Sequence, residues 1–413
     1  MGLRLAALGA LLAILLAGPA AAGGSRAPDW AAPQIHDVVS RGLMGESVAT
    51  FSPQSPLTRS ALALLGYRLD LKLTAPPPPP PPPPPVTTTT VATTTSTDTT
   101  VTSTDSTGTT PTTTTDPATT TVAATTTVAT TTAPLVTPPP PPPTVSNPQG
   151  RVTMTELDAH LVSVLGLDDA AAEFQAKARA AGLDVPPRFG TEVVARLLGL
   201  RANHPASQDF LELLPDDPAT RAEAAYSASQ IAGFGWLGNG WQIAAAQSLA
   251  DSFALPHLDD WQTRILNTAV ARIGMPYVWG GTSDGPEVDF GVPARGGYDC
   301  SGFAWRVYKL TSYPGERNLA SVMRGRTTFV MSVEVPASER IRFAQLKPAD
   351  LLFFGHHGPR SSSAEIDHMA IYMGNGWFIQ SSDQGVALAT LTGYYRHRFA
   401  WGRRPLREAG LTG

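Results

Sequence analysis

The segment GYDCSGF at 297–303 decides how the C-terminal part of this chain is interpreted. A helix is predicted to begin at Cys300 and to bury three apolar residues on its inner side, Phe303, Val307 and Leu310. A thiol at a helix N-terminus faces unpaired N–H groups and the positive end of the helix dipole, which favour the thiolate and lower the pKa. This position predicts a cysteine nucleophile.

Cys300 is the single cysteine among 413 residues. A lone thiol cannot form an internal disulfide, and an exposed odd thiol is a liability outside the cell. The alternative is a buried core cysteine, which is common in proteins. The sequence around Cys300 favours the nucleophile, because an inert core cysteine would gain nothing from a helix start.

A cysteine nucleophile needs a base, and DHMAIYM at 367–373 is predicted to be a strand that carries one, His368. Residues 374–376 form a turn, and 377–381 return as a second strand. A two-residue loop would place Gln380 opposite Ile371, on the apolar face. A three-residue loop places Ile371 opposite Ile379 and puts Gln380 diagonally beside His368. We predict the second register, in which Gln380 orients the imidazole.

Four motifs follow one another in the C-terminal part: MPYVWGG at 275–281, DCSG at 299–302, KPADLLFF at 347–354 and HMAIYMGNG at 368–376. In order and spacing they resemble the NlpC/p60 cell-wall cysteine peptidases over roughly 256–406. The resemblance implies an α+β, papain-like domain with helices packed on an antiparallel sheet. It also implies cleavage of peptidoglycan stem peptides, commonly between D-glutamate and a diamino acid, without a cofactor.

The resemblance also assigns roles to single residues. It makes Cys300 the nucleophile, His368 the base and Gln380 the third polar residue of the catalytic set. It implies that Tyr277 reaches the reacting carbonyl, and that two residues shape the substrate side, Asp299 and Ser301. The chain departs from the family in longer loops at 282–298 and 355–366, and Ala349 replaces the usual glycine. Substrate preference is therefore less defined than reaction type.

His356 and His357, together with His368, could suggest a metal site. Their spacing fits no ordinary zinc pattern, and adjacent exposed histidines are usually solvated loop residues. We predict no metal.

The segments before the C-terminal domain show a recurring helical unit. Its clearest copy spans 30–69, where Gly42 ends one helix and Thr58 caps the next. Parts of it return at 155–157, 189–200 and 220–223. These residues resemble the S-layer homology module, whose Thr-Arg-Ala-Glu signature opens a helix and which holds proteins on secondary cell-wall polymers. Arg59 and Arg221 would then contact the polymer; the alternative is a purely structural helical domain.

The N-terminus resembles an export signal, with Arg4 before an apolar run at 5–17 and small residues at 19–22. Cleavage near Ala22 is predicted; a retained anchor is disfavoured because a membrane span needs about 20 apolar residues. Prolines and threonines dominate 74–149 and predict a disordered spacer. The predicted plan is therefore signal 1–22, helical module 28–73, linker 74–149, helical region 150–255 and peptidase domain 256–408.

The composition excludes some partners. A formal net charge of -4 and a pI near 6.1 give no reason to expect nucleic acid. We predict a secreted, cell-wall-associated peptidoglycan hydrolase, a cysteine endopeptidase without stable membrane insertion. Two alternatives remain: a wall-anchored binding protein with an inactive catalytic domain, and an amidase or acyltransferase on the same fold.

Overall fold

Before residue 271, the long regular elements that the structure describes are α-helices joined by loops. The computed structural model describes residues 30–74, 140–236 and 240–411; the predicted signal 1–22 and residues 75–139 of the predicted linker lie outside the described residues. The helices of this region are α1 (Ala32–Ser40), α2 (Arg59–Thr74), α3 (Met154–Val164), α4 (Asp168–Ala180), α5 (Phe189–Leu197), α6 (Arg221–Trp236), α7 (Trp241–Ser252) and α8 (Asp260–Val270). In the described ranges, no helix combines the length and the apolar character that a membrane crossing requires.

Side-chain caps explain where several of these helices begin. The hydroxyl of Thr58 accepts the Ala61 N–H at 3.2 Å, as predicted for the start of α2. At the start of α3, Thr153 accepts the Glu156 N–H at 3.2 Å, and the Glu156 carboxylate accepts the Thr153 N–H at 2.8 Å. Such a reciprocal pair satisfies two N–H groups that a helix start would otherwise leave free. Asp259 begins α8 in the same way.

Three helix starts from both sides of the linker meet in a closed ring of backbone hydrogen bonds. Leu57 N–H donates to the Ala219 carbonyl at 2.7 Å, Ala219 N–H to Val152 at 2.8 Å, and Val152 N–H to Leu57 at 3.1 Å. All three side chains are buried. Because each residue lies just ahead of α2, α3 or α6, the ring joins the two predicted helical segments into one body.

The linker-side boundary of this body lies ahead of residue 150. The N–H of Arg59 donates to the Gly150 carbonyl at 2.9 Å, and the N–H of Ser60 donates to the Pro148 carbonyl at 3.0 Å. These contacts attach residues 148–150, at the end of the predicted linker 74–149, to the start of α2.

The C-terminal part is an α+β domain built on a five-stranded antiparallel sheet. Its strands are β5 (Leu351–Gly355), β6 (Ile366–Gly374), β7 (Trp377–Ser382), β8 (Gly385–Thr390) and β9 (Phe399–Arg403). They are arranged in the order β8-β7-β6-β5-β9. Its helices are α9 (Cys300–Trp305), α10 (Leu319–Val322), α11 (Thr328–Val333), α12 (Gly393–Arg398) and α13 (Pro405–Glu408). The secondary structure of this domain, helices together with an antiparallel sheet, agrees with the predicted α+β class.

The hairpin of β6 and β7 combines the two registers considered from the sequence. At its tip Gly374 pairs with Trp377, so the loop consists of two residues, Asn375 and Gly376. A bulge between Tyr372 and Gly374 then shifts the pairing, so that Ile371 lies opposite Ile379. The extra residue of a bulge changes the register without changing the loop. The predicted pairing of Ile371 with Ile379 is confirmed, whereas the predicted three-residue loop is wrong.

The two faces of the sheet bury different side chains. One face contributes Met369, Ile371, Met373 and Ile379 to the main core. The other contributes Phe354, Ala370, Tyr372 and Phe378 to a second, smaller core. This alternation follows the two-residue period of a strand, as expected.

Two features of the C-terminal part differ from the sequence expectations. Leu310 is 47% exposed instead of buried, because residues 306–310 form a π-helical turn, wider than an α-helical one, that turns it outward. The long segment 282–298 is two antiparallel ribbons, in which β1 (Thr282–Ser283) pairs with β4 (Gly297–Tyr298) and β2 (Glu287–Asp289) pairs with β3 (Val292–Ala294).

The helical region packs directly against the C-terminal domain. Phe174 and Phe253 contact the ring of Trp377, with centroid distances of 5.7 and 5.0 Å. The guanidinium of Arg188 donates to the carbonyls of Ile273 and Ala271 at 3.2 and 3.1 Å. The described residues on both sides of the linker therefore form one compact unit.

Candidate active site

Cys300 is the first residue of α9, as the sequence predicted. The carboxylate of Asp299 caps the helix by accepting the Gly302 N–H at 2.5 Å. The half-buried thiol lies 3.3 Å from the hydroxyl of Thr328, the first residue of α11. The helix start therefore presents the sulfur between two helices, with a carboxylate next to it.

The predicted lowering of the thiol pKa is wrong for this geometry. Burial, together with the negative charge of Asp299, raises the pKa of Cys300 to about 11. Hydrogen bonds to the sulfur, from the Thr328 hydroxyl and the backbone of Met369, act in the opposite direction but are weaker. The cap that starts the helix thus places an anion beside the sulfur, and the resting group is the thiol.

His368 lies beside Gln380, as the register predicted. The imidazole Nε2 and the Gln380 Oε1 are 2.7 Å apart, and the Gln380 amide nitrogen donates to the Tyr395 hydroxyl at 2.7 Å. Because Tyr395 takes the amide N–H, the amide oxygen is left to accept from the imidazole. This assigns the proton to Nε2 and leaves Nδ1 as the basic nitrogen. Burial lowers the pKa of His368, and the contact with Gln380 partly opposes that effect.

The thiol and the imidazole come from elements that pack on each other. Helix α9 lies against β6, and the sulfur contacts the backbone of Met369, the residue after His368. The ring of Phe354 stacks on the imidazole with a centroid distance of 5.7 Å. The site holds a neutral thiol and a neutral imidazole whose unprotonated nitrogen can accept a proton. Such a pair suits nucleophilic attack assisted by a general base.

The residues predicted for the substrate side are joined by an arginine that the sequence reasoning missed. Arg326 donates to the Ser301 hydroxyl at 2.7 Å, to the Asp299 carboxylate at 3.2 Å and to the Gly280 carbonyl at 2.6 Å. Tyr277 is half-buried, and burial raises the pKa of its phenol, as do the nearby Cys300 and Asp299. Arg326 lies outside the four motifs, so no sequence pattern identifies it; the one local signal is the threonine pair after it, which starts α11.

The two arginines predicted to bind wall polymer lie elsewhere and have local partners. Arg59 pairs with Glu156 at 2.8 Å, and both side chains are exposed. Arg221 donates to the Phe51 carbonyl at 2.8 Å, and its guanidinium lies 4.6 Å from the Phe51 ring centroid. Arg221 is thus held against Phe51, whereas Arg59 lies on the surface, and the polymer contact stays a prediction for both.

The adjacent histidines also have local partners. His356 pairs with Asp367 at 3.2 Å, and His357 contacts the Glu365 carboxylate. Within 30–74, 140–236 and 240–411, no group of three or more histidines, cysteines or carboxylates is arranged to hold a metal.

Comparison with known proteins assigns the C-terminal domain. Residues 274–404 match the NlpC/P60 family, which confirms the resemblance predicted from the four motifs. The Murein DD-endopeptidase MepH of Escherichia coli (strain K12) is 32% identical over 149 residues, which is 35% of this chain and 46% of the relative. The gamma-D-glutamyl-L-lysine dipeptidyl-peptidase of Bacillus subtilis (strain 168) is 27% identical over 128 residues, which is 31% of this chain and 34% of the relative.

A crystal structure of an NlpC/P60 family protein from Bacillus cereus ATCC 10987 is 25% identical, with a TM-score of 0.27, over 38% of this chain and 43% of that one. The chain thus spans less than half the length of each of these relatives. The S-layer homology resemblance of the helical region stays a prediction.

Proposed function

Because residues 274–404 form an NlpC/P60 domain, we propose that this chain is a secreted peptidoglycan hydrolase that cleaves stem peptides by thiol chemistry. Cys300 is the nucleophile, His368 the general base and Gln380 the residue that orients the imidazole. The observation that carries the proposal is the 2.7 Å contact of His368 with Gln380, next to a thiol at a helix start. Location outside the cell follows from the substrate and from the predicted export signal at 1–22.

The proposed reaction has two stages. As the sulfur attacks the peptide carbonyl carbon, His368 Nδ1 takes the thiol proton. The imidazolium gives that proton to the departing amine nitrogen, the C–N bond breaks and a thioester remains on Cys300. A water molecule, losing a proton to the imidazole, then releases the new carboxyl group, and the thiol regains its proton. The resemblance assigns Tyr277 to the reacting carbonyl.

Arg326 supports a preference for γ-linked D-glutamate. In a γ-linked residue the α-carboxylate is free, and it needs a cation close to the scissile bond. The guanidinium of Arg326 lies on the substrate side together with the Ser301 hydroxyl. Its terminal nitrogens already donate to Ser301, Asp299 and two backbone carbonyls, so it would attract a substrate carboxylate through its positive charge, with the Ser301 hydroxyl beside it. We propose cleavage of the bond from D-glutamate to the diamino acid, with Arg326 and Ser301 binding this carboxylate and Asp299 positioning them.

The reaction is tested by mass spectrometry of stem peptides and muropeptides after digestion. Wild type should release a dipeptide that ends in D-glutamate, and folded Cys300→Ala should release none. Hydrolysis by the folded variant would contradict the nucleophile. Products cut between the sugar and the first alanine would indicate an amidase. A newly formed peptide bond would indicate an acyltransferase, and cleavage of D,D-cross-links would indicate an endopeptidase of different specificity.

The carboxylate preference is tested on paired substrates that differ only in whether the D-glutamate α-carboxyl is free or amidated. Wild type should favour the free acid in kcat/KM by about tenfold or more, as expected for a lost charge-assisted contact. Arg326→Ala should lose most of that preference. An equal preference in both proteins would show that another group reads the carboxylate.

Attachment to a secondary cell-wall polymer is proposed for the helical module 28–73 and the helical region 150–255 together. The ring formed by Leu57, Val152 and Ala219 supports it, because it arranges three helix starts around one centre, as a cluster of three modules would. The full-length Cys300→Ala protein should sediment with cell walls and lose binding after the secondary polymer is extracted. Arg59→Ala should weaken sedimentation; unchanged binding would leave the helical region with a structural role.

A further inference from the structure

The loop that carries Tyr277 is held at two points by the helical region. At its start, the Gly274 carbonyl accepts from the Arg196 guanidinium at 2.5 Å. Two residues beyond the tyrosine, the Trp279 N–H donates to the Asp209 carboxylate at 3.0 Å. Arg196 lies in α5, and Asp209 lies in the 3-10 helix Ala206–Leu211. Both contacts thus cross from the helical region to the NlpC/P60 domain.

Arg196 connects the loop with the sheet. It also donates to the Gln384 carbonyl, in the turn between β7 and β8, and pairs with Glu192 at 3.3 Å. Its side chain is almost fully buried. Since β7 carries Gln380, this guanidinium fixes the spacing between the tyrosine loop and the strand that orients His368.

Asp209 acts on the backbone and not on substrate. Its side chain is 2% exposed, and one carboxylate oxygen is inaccessible and has no hydrogen-bond partner among the described residues. Burial, partly opposed by the hydrogen bond from Trp279, raises the pKa of Asp209 to about 6. A buried carboxylate with one free oxygen costs stability, and the group it holds in return is the catalytic loop.

A continuous path leads from Asp209 to the nucleophile. Gly280, the residue after Trp279, donates its N–H to the Asp299 carboxylate at 3.1 Å. Asp299 caps α9, whose first residue is Cys300. A shift of Trp279 would therefore move the group that sets the start of α9. Displacements of about 1 Å at a site can cost about a hundredfold in rate.

We propose that Asp209 is a positioning residue for the thiol chemistry and that the helical region is thereby a structural part of the active site. This inference rests on the proposed function for its kinetic consequence. It predicts that the loop loses its catalytic geometry when residue 209 has no side-chain oxygen to accept from Trp279, even though Asp209 touches no substrate.

The test compares Asp209→Ala with Asp209→Asn in the full chain. Asparagine keeps a side-chain oxygen that can accept from Trp279, whereas alanine keeps none. We expect kcat for stem peptides to fall about tenfold to a hundredfold in Asp209→Ala, with KM within about threefold, and to stay within about threefold of wild type in Asp209→Asn. Asp217→Ala is the matched control, because Asp217 also faces the NlpC/P60 domain, 3.6 Å from Arg295, but does not contact the loop; its kcat should not change.

Hydrogen exchange of the peptide spanning 274–281 provides a readout that needs no catalysis. Exchange should accelerate in Asp209→Ala and stay slow in Asp209→Asn and Asp217→Ala. Wild-type kcat and wild-type exchange in a folded Asp209→Ala protein would overturn the inference. So would equal losses in Asp209→Ala and Asp209→Asn with unchanged exchange. If wild type cleaves no stem peptide, the proposed function fails. Independently of catalysis, slow exchange of 274–281 in Asp209→Ala would overturn the proposal that Asp209 holds this loop in place.

Discussion

At the scale of single residues, the thiol and the imidazole of the candidate site are both predicted to be neutral at rest. Burial raises the pKa of Cys300 to about 11 and lowers that of His368 below its ordinary value of 6.5. An ion pair of thiolate and imidazolium would need the opposite order of the two pKa values. The single cysteine makes this order measurable, because alkylation reports one thiol.

The rate of iodoacetamide modification should therefore rise steadily from pH 7 to pH 10, since the thiolate fraction grows tenfold per pH unit below the pKa. A rate that is constant from about pH 5 to pH 8 would contradict the neutral pair. The acid limb of kcat/KM should lie below pH 6.5, where His368 gains its proton, and activity should persist above pH 9. Circular dichroism at each pH controls for unfolding.

The amide of Gln380 is held on both sides, by His368 and by Tyr395. Gln380→Ala should lower kcat by about tenfold to a thousandfold, because the ring loses its orientation, with less effect on KM. Gln380→Glu should retain activity and shift the acid limb upward, since a carboxylate stabilises the imidazolium. Steady-state kinetics against pH measure both effects. Wild-type kcat in Gln380→Ala would assign the orienting role to another residue.

At the scale of elements, the hairpin of β6 and β7 depends on the bulge near its tip. Gly374 has a φ of +114°, and a Cβ there would lie 2.3 Å from the Pro256 side chain. Gly376 has a φ of +83°, but a Cβ added there would have open space around it. The two glycines share a backbone requirement and differ in packing.

Gly374→Ala should therefore destabilise the protein more than Gly376→Ala. Backbone strain at positive φ costs on the order of 1–2 kcal/mol in both variants, and the clash with Pro256 adds to it only at Gly374. Chemical denaturation measures the two losses. Gly374→Ala should also lower kcat, because a shifted bulge would move Gln380 relative to His368. Equal losses of stability and no change in kcat would show that the register does not depend on Gly374.

At the scale of the whole molecule, the helical region encloses a set of buried charges. Glu223 is 5% exposed, and burial raises its pKa from 4.5 to about 7; the surrounding groups are His204, Arg201, Glu212 and Asp158. Because the folded-state pKa is raised, the native state binds a proton that the unfolded state releases. The stability from this group is present below pH 4.5 and is lost as the pH rises through 7.

Glu223→Gln should consequently stabilise the protein at pH 8 relative to wild type, and the difference should vanish near pH 4.5. A shift from 4.5 to about 7 corresponds to at most roughly 3–4 kcal/mol at about 1.36 kcal/mol per pKa unit. Denaturation of both proteins at the two pH values measures the difference. A Glu223→Gln protein that is less stable at pH 8 would mean that the cationic neighbours hold the glutamate ionised.

The sequence by itself determined what depends on local pattern. Alternating apolar residues placed His368 and Gln380 on one face of the hairpin, and the cap residue Thr58 marked the start of a helix. The order of four motifs identified the C-terminal domain, now matched over 274–404. These features follow from backbone periodicity and from hydrogen bonds within a few residues, so a linear sequence contains them.

Only the tertiary structure decided the environment of those residues. The helix start predicted a lowered thiol pKa, but burial and the charge of Asp299 raise it. Arg326, Tyr395 and Asp209 reach the candidate site from distant segments, and no spacing in the sequence indicates them. The bulge near Gly374 changed the loop while keeping the predicted pairing. Burial and contacts between distant segments depend on how the elements pack, and packing is determined by residues far apart in the sequence, so no short stretch of residues predicts it.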